Sequence, residues 1–397
     1  MNLAQILEKL VGSLPALPDL SVRAYIGYDG YVDKIQKVVE ARQGTENLYF
    51  EQISDLAGLV KSLAGRSGQI ELVTLETKIG GNAPIMSQAL AALGVGNWCA
   101  GNMDHPVFEQ IHPACDRILL GPPAESNALE FGDGKVIFSE VSVFKKLTWP
   151  FISGEIGLEN LRSYFLQSRL IAFVDWANLP HANELWKCYL QEIVKPAYSE
   201  RHIEACFFFD LSDPTKRSAD DIREALKIVS SYQDYGQVVL GMNENEARRI
   251  WLALNGFSPS DAGRVELTPE LAVIAAFIRD EASINIVLIH PTDRALVATI
   301  NGITELPGRL VTVPKILTGG GDNLNAGFCW GLLHGLDIPS CMVLGMANSG
   351  AYIGNGSSPD KEALTFYLKT WLNEISGTQM SSKERDPKSL SFSGSVM

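Results

Sequence analysis

The feature that most constrains this 397-residue chain is the rhythm of its second half. Short, continuously apolar runs at 170–174, 205–209, 237–240 and 285–289 alternate with helical patterns near 183–194, 218–230, 244–255 and 269–281. A strand that is apolar on both faces needs cover on both. The alternation therefore predicts an α/β fold with a mostly parallel sheet between two helical layers. Three further helical stretches, near 322–335, 339–353 and 360–375, close the pattern.

The first half is less regular. A strand is expected at 22–28, ending in the polar turn Asp29-Gly30. Residues 34–68 show no clear period. A helix is expected from about 84 to 93, after Gly80-Gly81-Asn82. A hairpin is expected at 127–140 around Gly132-Asp133-Gly134. The amino-terminal 17 residues read as an amphipathic helix, with Glu8 and Lys9 inside the apolar pattern, and not as a signal peptide. One domain is expected over 1–376, and 377–397, rich in Ser and Lys, reads as a disordered tail.

Composition narrows the function classes. A net charge of −13 argues against nucleic acid as a partner, although one nest of backbone N–H groups can still hold the phosphates of a nucleotide. The six cysteines include no C-x-x-C pair, which points to free thiols in a reducing, cytoplasmic setting. No run approaches the ~18 apolar residues that would span a bilayer, so no membrane association is expected.

The chemistry concentrates in Thr318-Gly319-Gly320-Gly321-Asp322, followed by an apolar-periodic helix. Three glycines let successive N–H groups turn into one cavity, and the helix adds its unpaired amino-terminal N–H groups. Together they make an anion hole suited to a transferring phosphoryl group. Asp322 at its mouth is either a base that takes the proton of an attacking hydroxyl or a helix cap. Asn243-Glu244-Asn245-Glu246 begins another helix. It is either a capping box or a site where Glu246 holds Mg²⁺, directly or through water. Asp175, Asp210 and Asp213 end strands on the same edge, where turn formation explains them as well as function does. No G-x-G-x-x-G follows the first strand, which removes a dinucleotide-dependent dehydrogenase.

The order of these motifs resembles the ribokinase-like (pfkB-type) carbohydrate kinase family, over about residues 24–368. The resemblance implies a three-layer α/β/α fold with a small β lid, in segments near 34–55 and 100–145, through which subunits pair as homodimers. It implies a kinase that uses ATP and Mg²⁺ on a primary hydroxyl of a sugar or nucleoside, or a regulatory protein of the same fold that has lost catalysis. Asp322 matches the catalytic base, and Gly319, Gly320 and Gly321 match the anion hole. Asn243 and Glu246 match the motif that organises Mg²⁺ and phosphates. Asp33 matches a sugar-binding acid, with Asp29 as its competitor, and Gly81 and Asn82 match the substrate-side turn. The nucleotide is expected near Thr318, 290–294 and Asn348. Three positions depart from the family: Ile85 and Ile316, and His290-Pro291-Thr292-Asp293-Arg294 in place of a glycine-rich turn. With Ile316 at its position, no dedicated monovalent-cation site is expected.

Overall fold

A computed structural model describes residues 1–199, 205–316 and 318–383. The chain begins with α1 (Leu3–Ser13), β1 (Arg23–Tyr28), β2 (Tyr31–Gln43), β3 (Glu46–Tyr49), α2 (Ile53–Ser62), β4 (Leu72–Gly80) and α3 (Asn82–Ala92). It continues through β5 (Asn97–Gly101), β6 (Cys115–Leu119), β7 (Ala124–Phe131), β8 (Gly134–Glu140), α4 (Trp149–Ile156), α5 (Leu158–Gln167) and β9 (Ser168–Phe173). Next come α6 (Ala182–Cys188), α7 (Lys195–Ser199), β10 (Ala205–Asp210), α8 (Ala219–Ser231), β11 (Gly236–Met242), α9 (Glu244–Leu254), α10 (Ala262–Val265) and α11 (Leu271–Ala282). The chain closes with β12 (Ile286–Ile289), β13 (Arg294–Thr299), β14 (Gly302–Pro307), α12 (Gly320–Leu333), α13 (Ile338–Asn355) and α14 (Lys361–Lys383).

Nine strands form the main sheet in the order β14-β13-β12-β11-β10-β9-β1-β5-β6. The pairs from β6 to β12 are parallel, and β13 and β14 add an antiparallel edge. Successive residues of β10 enter opposite cores. Phe207 and Phe209 pack with Phe173, Trp186 and Tyr232, while Cys206 and Phe208 pack with Phe328 and Leu344. Each buried ring contributes about 1.5–3 kcal/mol relative to exposure, which holds a helical layer on either face. The amino-terminal helix buries Ile6, Leu7 and Leu10 and starts on an Asn2–Gln5 capping box, as its amphipathic pattern predicted.

β1 sits between β5 and β9. The chain leaves β1 toward β5 and β6, then returns on the other side with β9. This change of direction opens a crevice at the carboxyl ends of β1 and β9, the usual ligand position in open parallel sheets.

A second sheet, β3-β2-β7-β8 with β4 also paired to β2, stands over that crevice. It has its own small core of Val38, Phe50, Leu56 and Leu129. Three expectations change here. The stretch 34–68 is regular: a 13-residue strand, a hairpin partner and a helix. Its sheet is half exposed, so apolar and polar residues alternate irregularly. The lid includes 72–80, and part of the expected 100–145 segment, β5 and β6, belongs to the main sheet. The last helix continues through Gly377 to Lys383. The rest of the expected tail lies outside the described residues. Among the described residues no helix is long and apolar enough to cross a membrane.

Candidate active site

The carboxyl ends of β1, β9, β10 and β11 deliver Asp29, Asp175, Asp210 and the Asn243–Glu246 segment to the crevice. Asp29 is fully buried, and its two oxygens accept the backbone N–H groups of Asn82 at 2.6 Å and Ala83 at 2.7 Å. It caps α3 and is closed to solvent, which corrects Asp29 as a sugar-binding candidate. Gly81, with φ at +101°, serves that cap, because a Cβ there would lie 2.8 Å from Asp29 Oδ2. The Asn82 amide donates across the crevice to Ser212 Oγ at 3.4 Å.

Asp33 is the acid left partly open, on the underside of the lid. Three strands place it: it pairs with Lys78 on β4 and with Ser126 on β7. Gly80 gives its carboxylate room, since a Cβ there would collide with it. Burial raises the Asp33 pKa, while Lys78, a Ser126 hydrogen bond and Lys135 oppose the rise.

Asp175 accepts from Tyr31 Oη at 2.9 Å and from Asn178 Nδ2 at 2.6 Å. Asp210 accepts from Ser212 N at 2.7 Å and Asn325 Nδ2 at 3.0 Å. Asp213 caps a turn through Thr215 N. Asn243 and Glu246 form the capping box in full. Glu246 N donates to Asn243 Oδ1 at 3.0 Å, and the two Glu246 oxygens accept from Asn243 N at 2.8 Å and Asn243 Nδ2 at 2.7 Å.

The glycine loop closes the site. Gly319 takes the N-cap position of α12 with φ at +82°, and no side chain caps the helix. Its first-turn N–H groups therefore remain available to an anion. Asp322 is the third residue of the helix and does not cap it, which removes the capping alternative. Burial raises the Asp322 pKa well above the ordinary range, and the nearby charges of Asp210, Asp29, Asp175 and Glu246 raise it further. A Cβ on Gly319 would lie 2.9 Å from Tyr352 Oη and 3.1 Å from Ile85, so Ile85 is the apolar wall behind the loop. A Cβ on Gly321 would lie 3.2 Å from His290 Cε1. Burial lowers the His290 pKa to about 4, so its ring is neutral at pH 7.

Asn348 is fully buried between α12 and α13, where it donates to the carbonyl of Asn323 at 2.7 Å. It positions α12 from behind, a correction to its expected contact with nucleotide. Thr318 Oγ1 accepts from Lys78 Nζ, which reaches across from the lid at 3.3 Å. Sequence reasoning missed Lys78 and Tyr352 as members of this site, while His290 falls in the segment 290–294 expected beside the nucleotide. One signal was readable for Lys78: it lies two residues before Gly80 on a strand, hence on the same face.

A cavity of about 500 Å³ is lined by residues that include Asn243, Arg248, His290 and Thr292. A larger one, about 640 Å³, lies apart, between residues 309–313, the end of α13 and α14, and contains none of the clustered acids. Neither cavity is lined by the clustered acids, but the smaller one meets the glycine loop through His290, whose Cε1 would lie 3.2 Å from a Cβ on Gly321.

The chain matches the family model for prokaryotic ketohexokinase over residues 4–371. It is 26% identical over 371 residues to a ketohexokinase of Haloferax volcanii, an alignment covering 91% of this chain and 94% of that protein. Its fold is that of adenosine kinase from Sinorhizobium meliloti (TM-score 0.58, 16% identity, 88% of this chain and 99% of that one). Ribokinase from Thermotoga maritima is equally close (TM-score 0.57, 14% identity, 88% and 99%). The three-layer ribokinase-like architecture is therefore established, and with it an ATP-dependent sugar kinase. With a match running from α1 to the middle of α14, this chain belongs to the prokaryotic ketohexokinase family.

Proposed function

We propose that this kinase transfers the γ-phosphoryl group of MgATP to a primary hydroxyl of a ketohexose, with Asp322 as the base. The observation that carries the reading is the setting of Asp322: it stands in the first turn of an uncapped helix, and the charges that most affect it are acidic. Burial and those charges make it a stronger base than an exposed carboxylate. The substrate oxygen attacks phosphorus as its proton passes to Asp322. The new O–P bond forms as the bond to ADP breaks. The N–H groups of the glycine loop hold the charge on the transferring oxygens.

Asp33 binds sugar hydroxyls under the lid, and the sugar lies between it and Asp322. The adenosine side of the nucleotide occupies the cavity beside His290. For Mg²⁺, the fit is through water. Among the described residues no three His, Cys, Asp or Glu side chains converge on one point, and both Glu246 oxygens are held by Asn243. An ion that keeps several waters and binds mainly phosphate suits such a set, and it would supply charge neutralisation of the triphosphate. Six free cysteines support a cytoplasmic setting. The exposed Leu75, Ile137 and Phe138 of the lid support pairing of two lids in a homodimer.

The test is Asp322→Asn, assayed with ATP and D-fructose. Melting temperature and ATP binding are expected to stay near wild type, while turnover falls about 10³-fold or more. Turnover within tenfold of wild type refutes the assignment of the base.

A further inference from the structure

The crevice is strongly acidic. Asp29, Asp175, Asp210, Glu246 and Asp322 form one electrostatic group. A triphosphate entering there needs positive charge from the protein. Arg248, on the rim of the nucleotide cavity, is committed to Glu244 at 2.8 Å. Lys135 shares the Asp33 environment and faces Glu130 as well. Lys78 is placed differently. It leaves β4 on the face that carries Asp33 and reaches the residue immediately before Gly319.

That contact, ammonium to a threonine hydroxyl at 3.3 Å, is long and joins a cation to a neutral acceptor. A phosphoryl oxygen held by the neighbouring glycine amides is a far better partner, since charge-assisted hydrogen bonds are about twice as strong as neutral ones. We propose that Lys78 is a catalytic residue that leaves Thr318 and binds an equatorial oxygen of the transferring phosphoryl group from the lid side. The glycine amides hold that group from below, and the ammonium holds it from above. Asp33, its cross-strand neighbour, keeps Lys78 on the lid's inner face while the site is empty. Phosphoryl transfer is thereby tied to lid position, because the cation comes from the lid itself. This inference rests on the reading of the glycine loop and Asp322 as the phosphoryl site.

The test compares Lys78→Met, Lys78→Ala, Thr318→Val and Asp322→Asn, assayed with ATP and D-fructose. Lys78→Met removes the charge but keeps most of the side-chain volume. It is expected to lower kcat about 100-fold, with the KM for D-fructose changed by less than about threefold. In Lys78→Ala, added ethylammonium chloride is expected to restore kcat at least about tenfold in a saturable way, as a missing charge at an open position allows. Thr318→Val keeps the ammonium, so it is expected to lose far less than Lys78→Met. The proposal is overturned if Lys78→Met keeps kcat within about threefold of wild type, or if its loss appears only in KM. It is also overturned if Thr318→Val reproduces the full loss and ethylammonium rescues nothing, which would make the contact a structural latch. If Asp322→Asn remains active, the underlying site reading fails with it. If Asp322→Asn is dead and Lys78→Met is not, only the role of Lys78 fails.

Discussion

Replacing Gly319 by alanine separates the backbone requirement of the glycine loop from its chemistry. Gly319 has φ at +82°, where an L-residue with a Cβ costs about 1–2 kcal/mol. The new methyl would also sit 2.9 Å from Tyr352 Oη and 3.1 Å from two carbons of Ile85. Overpacking of that kind costs about 1–3 kcal/mol. Together the two effects predict a loss of about 2–5 kcal/mol, or a fall in Tm of roughly 2–6 °C for a domain of this size. Turnover should fall about 10²-fold or more, because the N–H groups that follow are re-aimed. Gly320→Ala is the internal comparison. Gly320 is helical, and its Cβ would meet the flexible end of Ile353 at 3.1 Å. The helical preference for alanine, about 0.5–1 kcal/mol, offsets that crowding, so Tm should barely move. A Gly319→Ala/Tyr352→Phe double variant should recover only the part of the crowding that comes from Tyr352 Oη, since the Ile85 contacts remain. Calorimetry and steady-state ADP release measure both quantities. If Gly319→Ala melts within 1 °C of wild type and keeps kcat within threefold, or if Gly320→Ala is equally damaging, the reasoning about the loop is wrong.

The acid limb of kcat/KM should lie above the ordinary carboxylate range, because burial and neighbouring acids raise the Asp322 pKa and the base must be ionised. Asp210→Asn removes the largest of those charges and should shift the limb toward lower pH; an unmoved limb contradicts the coupling. Ligand-free stability should fall as pH rises. Burial raises Asp29 to about 7 and Asp210 to about 6, so the folded form holds these protons more tightly than the unfolded chain does, and that stability is lost as pH rises through 6 to 7. Melting between pH 5.5 and 8 without ligand checks this, and a Tm that climbs over that interval would contradict it. Glu246→Gln should raise the Mg²⁺ needed for half-maximal turnover several-fold while costing only about 1 kcal/mol of stability, since part of the Asn243 capping box survives. An unchanged Mg²⁺ titration would show that Glu246 serves the helix alone.

Much of this was legible because it is local. The glycine run, the helix after it and the Asn243–Glu246 spacing are each written in a few consecutive residues, and the structure forms each of these elements there. The apolar runs marked β9 to β12 to within a few residues for the same reason. What escaped is non-local. Residues 33, 78 and 126 meet only because β2 pairs with both β4 and β7, and no short window contains that register. The choice between Asp29 and Asp33 also needed three dimensions. Both follow the first strand, and only the N–H groups of Asn82 and Ala83 show which one is consumed. The antiparallel edge of β13 and β14 escaped because a four-residue turn after β12 looks the same in sequence whether the chain crosses over or doubles back.

The dipeptide Asp29-Gly30 is all that separates the last strand residue of the floor from the first of the roof. Asp29 also grips the start of α3, and Ile85 one turn along that helix abuts the glycine loop. Roof, floor and loop are thus linked through a single side chain, like three spokes on one hub. Tilting the roof over a sugar drags on the same hub that steadies the backbone of Gly319, so neither end of the crevice is free to settle alone.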